Sequence, residues 1–174
     1  MNLDSRLQGQ LAAAAIEALL ADAGYQVIPV GIEHSLRELK FLDPKRYVKV
    51  APVMLRTAPD LFVLDPDGDT SRLVEVKYRR RLHERLVRRL RRIQAGWAPF
   101  VLVLIVAESP PNWAGHINHI KAFEIDRKTH LSLDFLGGGG RRLQDVFPRL
   151  TERWADETIL RVQDVIRRLS GWPE

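Results

Sequence analysis

Residues 56–80 read R-T-A-P-D-L-F-V-L-D-P-D-G-D-T-S-R-L-V-E-V-K-Y-R-R, and this stretch decides the fold of the chain. Two apolar runs of β-type residues flank the polar segment 65–70, whose Asp, Pro and Gly residues favour a turn. We therefore predict a β-hairpin. Because side chains alternate along a strand, Glu75 and Lys77 share one face of the second strand, and Val76 lies on the other.

The charged residues of this hairpin indicate a chemistry. An anion and a cation within an apolar strand are costly to bury unless they are paired or bind a charged partner. Asp60 and Glu75 offer hard oxygen ligands suited to Mg²⁺ or Mn²⁺, and Lys77 can orient or deprotonate a water held by that metal. The pattern thus indicates metal-dependent hydrolysis of phosphodiester bonds. The alternative is a buried Glu–Lys ion pair, with Asp60 merely starting a strand.

The sequence on either side predicts the remaining core elements. Residues 4–23 are rich in Ala and Leu and predict a helix, with Gly24 at the position after its end. The segment Y-Q-V-I-P-V predicts a strand whose Pro29 suits a sheet edge or a strand end. A second helix is predicted from about 82 to 95. The apolar run P-F-V-L-V-L-I-V-A that follows it is typical of a strand buried on both faces.

Pro59-Asp60 and Glu75-Val76-Lys77 resemble the motif of the PD-(D/E)xK nuclease superfamily, and the elements around them are similar in order to its helix, three strands, helix and strand. The resemblance covers roughly residues 5–107 and is nearest to archaeal Holliday-junction resolvases and short restriction-type endonucleases. It implies a restriction-endonuclease-like α/β domain, with a mixed central sheet flanked by helices, that acts as a Mg²⁺-dependent DNA endonuclease. In that resemblance Asp60, Glu75 and the backbone carbonyl of Val76 ligate the metal, and Lys77 assists the water.

Glu17 is a further candidate ligand that the resemblance suggests. The resolvases place a glutamate about three turns before the end of the first helix, where this chain has alanines, and Glu17 lies one turn nearer Gly24. It is the only charged residue between Arg6 and Asp22. A glutamate on the protein surface is the alternative reading of the same position.

Eight arginines occur among residues 79–92, with Glu84 as the only acid among them. Leu82, Leu86, Leu90 and Ile93 form a core-facing stripe at helical spacing. A stripe of arginines lies on a different side of the same helix. Most charge runs are solvated surfaces. Like charges at this spacing nevertheless destabilise a helix unless a polyanion relieves them, and this run flanks the proposed metal site. We therefore predict contact with DNA, or alternatively RNA, through Arg79, Arg80, Arg81, Arg85, Arg88 and Arg92.

Composition narrows the class of protein. The chain has 174 residues and 45% hydrophobic content, which predicts one domain with its core in about 5–107 and an extension in about 108–174. A formal charge of +5 favours an acidic partner. The absence of cysteine excludes disulfides, thiol catalysis and iron–sulfur clusters. No G-x-S-x-G, P-loop or G-x-G-x-x-G motif occurs, and neither a signal pattern nor a long apolar stretch is present. We therefore predict a cytoplasmic protein without a membrane span.

The extension is predicted from shorter signals. The segments A-F-E-I-D (122–126) and H-L-S-L-D-F (130–135) are interpreted as additional strands, and residues 150–169 as an amphipathic helix. Such a helix closes the core or forms a homodimer contact.

Two functional alternatives to the endonuclease stay open. One is a nuclease-fold module that binds nucleic acid, or regulates, without cutting. The other is a different hydrolase or a partner-binding domain in which the hairpin charges are structural.

Overall fold

The computed structural model describes residues 3–30, 53–107, 120–150 and 157 of the chain. The helices in this part are α1 (Leu3–Asp22), α2 (Val53–Arg56), α3 (Glu84–Trp97), α4 (Leu133–Gly138) and α5 (Leu143–Val146). The strands are β1 (Gln26–Pro29), β2 (Leu61–Leu64), β3 (Ser71–Arg79), β4 (Phe100–Val106) and β5 (Ile120–Ile125).

The five strands form one open, mixed sheet in the order β1-β2-β3-β4-β5. β3 and β4 pair in parallel, while each of the other neighbouring pairs is antiparallel. Parallel neighbours need a long crossover connection, and α3 supplies it between β3 and β4. The predicted α/β class with a mixed sheet is therefore confirmed. The predicted hairpin is confirmed as β2 and β3, with Leu64 opposite Ser71 at its turn.

Each face of the sheet has its own apolar layer. On one face, residues such as Ile16 and Leu20 of α1 pack with Val74, Val76 and Tyr78 of β3. On the other face, α3 and α4 pack over the alternate residues of the strands, which include Leu73, Leu102 and Leu104. Since side chains alternate along β3, Glu75 and Lys77 lie on the same face as Leu73, beneath α3.

Local signals explain where the elements begin and end. Gly24 has the positive φ of 89° expected of a residue that follows a helix, as the sequence predicts. Pro29 lies at the end of β1, an edge strand, where a missing N–H is tolerated. α3 begins at Glu84 rather than 82 because the His83 side chain caps it, accepting a hydrogen bond from the Leu86 N–H at 3.2 Å. Every residue of β4 is buried, as predicted for a strand covered on both faces.

The extension differs from its prediction at one element. The strand predicted around A-F-E-I-D is present as β5, but H-L-S-L-D-F was wrongly interpreted as a strand. Ser132 instead caps α4, because its hydroxyl accepts a hydrogen bond from the Phe135 N–H at 3.1 Å. The amphipathic helix predicted at 150–169 lies outside the described residues, apart from its first residue and Glu157. Within the described ranges, no helix has the length and apolar character needed to span a membrane.

Candidate active site

Asp60 is fixed at the junction of three strands. It directly precedes β2, and its backbone carbonyl accepts a hydrogen bond from the Val30 N–H at 3.0 Å, just beyond the end of β1. Its side-chain Oδ2 accepts a hydrogen bond from the Val76 N–H of β3 at 2.8 Å. The Asp60 carboxylate thus accepts a hydrogen bond from a backbone N–H of β3, at a position just before the first residue of β2. This bond holds the carboxylate against β3 and close to Glu75 and Lys77.

Glu75 and Lys77 are buried in the middle of the sheet. Glu75 is 2% exposed and Lys77 7% exposed, and they lie opposite Leu102 and Leu104 of the neighbouring strand. Their side chains form an ion pair between Lys77 Nζ and Glu75 Oε1. The structure therefore brings together the two residues that strand alternation placed on one face.

Three oxygen atoms converge on the Lys77 ammonium. Besides Glu75 Oε1, Nζ contacts the Val76 carbonyl oxygen at 2.9 Å and Asp60 Oδ2 at 3.3 Å. These oxygens belong to the residues predicted to ligate the metal. Hydrated Mg²⁺ binds proteins through one or two carboxylates and fills its remaining positions with water or phosphate oxygens. The donor set fits such a cation, and in the structure these oxygens surround the Lys77 ammonium. We call Asp60, Glu75, Lys77 and the Val76 carbonyl the hairpin site.

Burial also changes the acidity of the site. It raises the pKa of Glu75 from 4.5 to about 7, and the Asp60 carboxylate acts in the same direction. The positive charges of Lys77 and Arg89 oppose this rise. Near neutral pH the Glu75 carboxyl is therefore partly protonated in the folded protein.

Two arginines lie close enough to the hairpin site to influence it electrostatically. Arg79 ends β3 on the same face as Glu75 and Lys77, and its Nη1 donates a hydrogen bond to the Tyr78 carbonyl at 2.6 Å. Partial burial and the charge of Arg89 lower the pKa of Arg79, while Glu75 and Asp60 raise it. Arg89 is on α3. The charges of both arginines are thus within electrostatic range of the Glu75 carboxylate.

The other arginines predicted to contact nucleic acid are on the surface. Arg85, Arg88 and Arg92 are exposed on α3, away from its buried side. Arg80 and Arg81 are exposed between β3 and α3, where they line a shallow depression together with His83. Arg91 instead donates a hydrogen bond to the Leu131 carbonyl at 2.8 Å, which ties α3 to the segment before α4.

Glu17 is not brought to the hairpin site. It is half-buried on α1, which packs against the face of the sheet opposite to Glu75 and Lys77. Among residues 3–30, 53–107 and 120–150, no three His, Cys, Asp or Glu side chains come together as a metal-binding group. The geometry therefore gives no support to Glu17 as a further ligand, and the donor set consists of two carboxylates and one carbonyl.

Sequence reasoning missed the position of Arg89. It assigned the arginine stripe to residues one turn apart on the outer side of α3, whereas Arg89 flanks the buried stripe between Leu86 and Ile93. Its spacing from those two residues is the signal that could have found it.

Comparison of the chain with protein-family models, curated proteins and solved structures gives no match.

Proposed function

We propose that this chain is a Mg²⁺-dependent DNA endonuclease of the PD-(D/E)xK type. The observation that carries the proposal is the convergence of Asp60 Oδ2, Glu75 Oε1 and the Val76 carbonyl on one cation, the Lys77 ammonium. Glu75 is 2% exposed, and burying such a carboxylate in a sheet is costly unless it is paired or binds a charged partner. A metal cation held by these oxygens is such a partner.

The residues of the hairpin site have distinct roles in this proposal. Asp60, Glu75 and the Val76 carbonyl hold Mg²⁺ or Mn²⁺, which when bound polarises a phosphate oxygen and lowers the pKa of a water molecule. Lys77 then no longer neutralises the carboxylates and instead orients the attacking water or stabilises the negative charge that develops on the phosphate. The Val76 N–H keeps Asp60 oriented through its 2.8 Å hydrogen bond.

The arrangement of elements also supports a restriction-endonuclease-like core. Among the described residues between Leu3 and Val106, the chain runs through α1, β1, the short α2, β2, β3, α3 and β4. That order agrees with the one expected from the resemblance. Asp60 directly precedes the second of the three strands, and Glu75 and Lys77 lie in the third, so their placement agrees as well.

The arginines supply a surface for the substrate. Arg80, Arg81, Arg85, Arg88 and Arg92 are exposed around α3, the helix that covers the face of β3 carrying Glu75 and Lys77. Arg80 directly follows β3, so this surface begins at the end of the strand that carries Lys77. Duplex or branched DNA is the proposed substrate, and RNA is the alternative that a substrate comparison decides.

A cleavage assay with isosteric variants tests the proposal. Plasmid and branched DNA are incubated with Mg²⁺, Mn²⁺ or EDTA, and we expect cleavage by the wild type only in the presence of metal. Asp60→Asn and Glu75→Gln each remove a ligand charge without changing side-chain size. Because metal and water activation act as a unit, each should lower the rate by roughly 10³-fold or more.

Asp65→Asn is the matched control for these variants. Asp65 is a carboxylate of the same hairpin that pairs with Arg72 near the turn, away from Lys77. We expect it to keep the wild-type rate within about twofold. Full metal-dependent cleavage by Glu75→Gln would refute the assignment of the hairpin site.

A binding module that does not cut is the second candidate. The observation in its favour is that the Lys77 ammonium already satisfies the three oxygens, so the hairpin site is neutralised without a metal. This candidate predicts that the wild type binds DNA with the same affinity in Mg²⁺ and in EDTA and cuts it in neither. Cleavage that depends on Mg²⁺ excludes it.

A further inference from the structure

We infer that Arg79 and Arg89 together bind the phosphate group that is to be cut, directly beside the hairpin site. We call these two residues the arginine pair. That the bound phosphate is the one to be cut rests on the proposed nuclease function, whereas the binding of a nucleic-acid phosphate by the pair does not. The pair differs from Arg85, Arg88 and Arg92 on the outer side of α3, which would hold the flanking backbone.

The orientation of α3 places Arg89 on the edge of the helix that faces β3. Arg91 and Gln94 flank one edge of the buried stripe of α3, and they bond to the carbonyls of Leu131, Asp126 and Thr129. These carbonyls follow β5, so that edge of the helix faces β5. Arg89 lies on the opposite edge of the stripe, which by helical geometry faces back toward β3.

Arg79 approaches from the sheet. It lies two residues after Lys77 on the same face of β3, at the point where β3 ends opposite Val106. Its Nη1 is committed to the Tyr78 carbonyl, which fixes the guanidinium and leaves further N–H donors of the group for a ligand. A strand end and a helix edge thus present one arginine each toward the hairpin site.

The charges around the hairpin site favour an anion. Arg89 makes no hydrogen bond or ion pair with another residue in the described part of the chain, and its charge lowers the pKa of Arg79. Two neighbouring guanidinium groups repel each other, and an anion bound between them removes that cost. With both carboxylates ionised, Asp60, Glu75, Lys77, Arg79 and Arg89 carry one net positive charge. A divalent cation would add two more.

A phosphate is the anion that this geometry fits best. Guanidinium groups match the geometry of phosphate oxygens and bind them through two parallel hydrogen bonds. A phosphate between the arginine pair and the hairpin site would have its oxygens near the cation-binding oxygens and near Lys77. This is the position that the proposed hydrolysis requires.

Duplex binding measured in EDTA tests the arginine pair independently of cutting. A fluorescently labelled duplex oligonucleotide is titrated with the wild type, Arg89→Gln and the control Arg127→Gln across a salt series. Arg127 is exposed just after β5, whose end at Ile125 lies opposite Phe100, at the far end of β4 from Arg79. One lost phosphate contact should weaken binding roughly tenfold at 0.1 M salt and reduce the slope of log affinity against log salt by about 0.9.

Cleavage at saturating DNA is the second readout. In Mg²⁺ we expect Arg89→Gln to lower kcat by about 10²-fold, because a residue on the reacting phosphate acts in the transition state. Arg89→Lys keeps the charge and should restore the salt slope, but not all of kcat, since it loses the bidentate geometry. Both variants remove an exposed side chain from a helix interior and use good helix formers, so the fold should persist.

The outcomes separate this inference from the proposed function. If the wild type cuts and Arg89→Gln binds and cuts like Arg127→Gln, the arginine pair is refuted and the nuclease stands. If the wild type cuts nothing but Arg89→Gln alone flattens the salt slope in EDTA, the pair binds phosphate and the nuclease fails. Equal slopes for Arg89→Gln and Arg127→Gln in EDTA would refute phosphate binding by the pair, whatever the cleavage assay shows.

Discussion

The two ends of the β2–β3 hairpin carry ion pairs of similar composition in different surroundings. Near the turn, Arg72 Nη1 lies 3.1 Å from Asp65 Oδ2, and the two side chains are 28% and 23% exposed. At the other end, Lys77 pairs with Glu75 and Asp60, and its side chain and that of Glu75 are 9% and 2% exposed. Arg72 Nη1 also contacts three oxygens, but they belong to Asp65 and Thr70 beside the turn. At the second end the oxygens belong to two carboxylates and a backbone carbonyl, and the cation is buried.

The comparison shows what burial adds to an ion pair. About a quarter of each side chain in the Asp65–Arg72 pair is in contact with water, so this pair is screened more than the buried one and should contribute less to stability. The hairpin site is largely removed from water, so each charge there depends on the others. The same residue types therefore secure a turn at one end and form a charge-coupled site at the other.

Removing the cation at each end should give the largest difference in stability. Lys77→Met keeps the length of the side chain but leaves Glu75 and Asp60 without their cation, so at pH 8 we expect a loss of about 3 kcal/mol in the free energy of unfolding. At pH 5 the loss should be smaller, because Glu75 is then mostly protonated. Arg72→Met should cost about 1 kcal/mol or less at both values. Urea denaturation of both variants measures these losses, and equal costs at pH 8 would show that the two ends are energetically alike.

The pH dependence of stability should distinguish the two ends next. The pKa of Glu75 is raised in the folded protein from 4.5 to about 7, so between these values the folded state binds more protons than the unfolded state. Its contribution to stability is therefore complete below about pH 4.5 and is lost as the pH rises toward 7. We expect the metal-free wild type to lose at most about 3 kcal/mol over this range relative to Glu75→Gln.

Asp65→Asn provides the control for that measurement. Its unfolding curves should follow those of the wild type between pH 5 and pH 8, because the change is made at the screened end of the hairpin. A pH profile of Glu75→Gln that is parallel to the wild-type profile would contradict the assignment of the dependence to Glu75.

The smallest expected effect concerns the hydrogen bond from the Val76 N–H to Asp60. Asp60→Asn keeps an acceptor for this donor, whereas Asp60→Ala leaves the N–H unsatisfied. Since an unsatisfied buried donor costs about 1–3 kcal/mol, we expect Asp60→Ala to be less stable than Asp60→Asn by about 1 kcal/mol, given that Asp60 is partly exposed. Thermal unfolding of the two variants in EDTA compares them. Equal stability would mean that Asp60 is not needed to support β3.

The sequence alone predicted most of the fold and the centre of the candidate site. Alternation along β3 placed Glu75 and Lys77 on one face, the turn residues predicted the hairpin, and the apolar run predicted a buried β4. These features follow from local periodicity, so each of them can be predicted from its own short segment of the sequence. The helix at α4 was missed because its signal, the Ser132 cap, is one residue within an alternating apolar pattern.

Only the tertiary structure decided which charged residues meet. Asp60 reaches β3 because β1, β2 and β3 pair in a particular register, and Glu17 is kept away because α1 covers the opposite face of the sheet. Arg89 faces β3 because its helix is anchored toward β5 by Arg91 and Gln94. Periodicity fixes the direction of a side chain relative to its own element. The packing of one element against another, which depends on contacts far apart in the chain, fixes what that side chain faces.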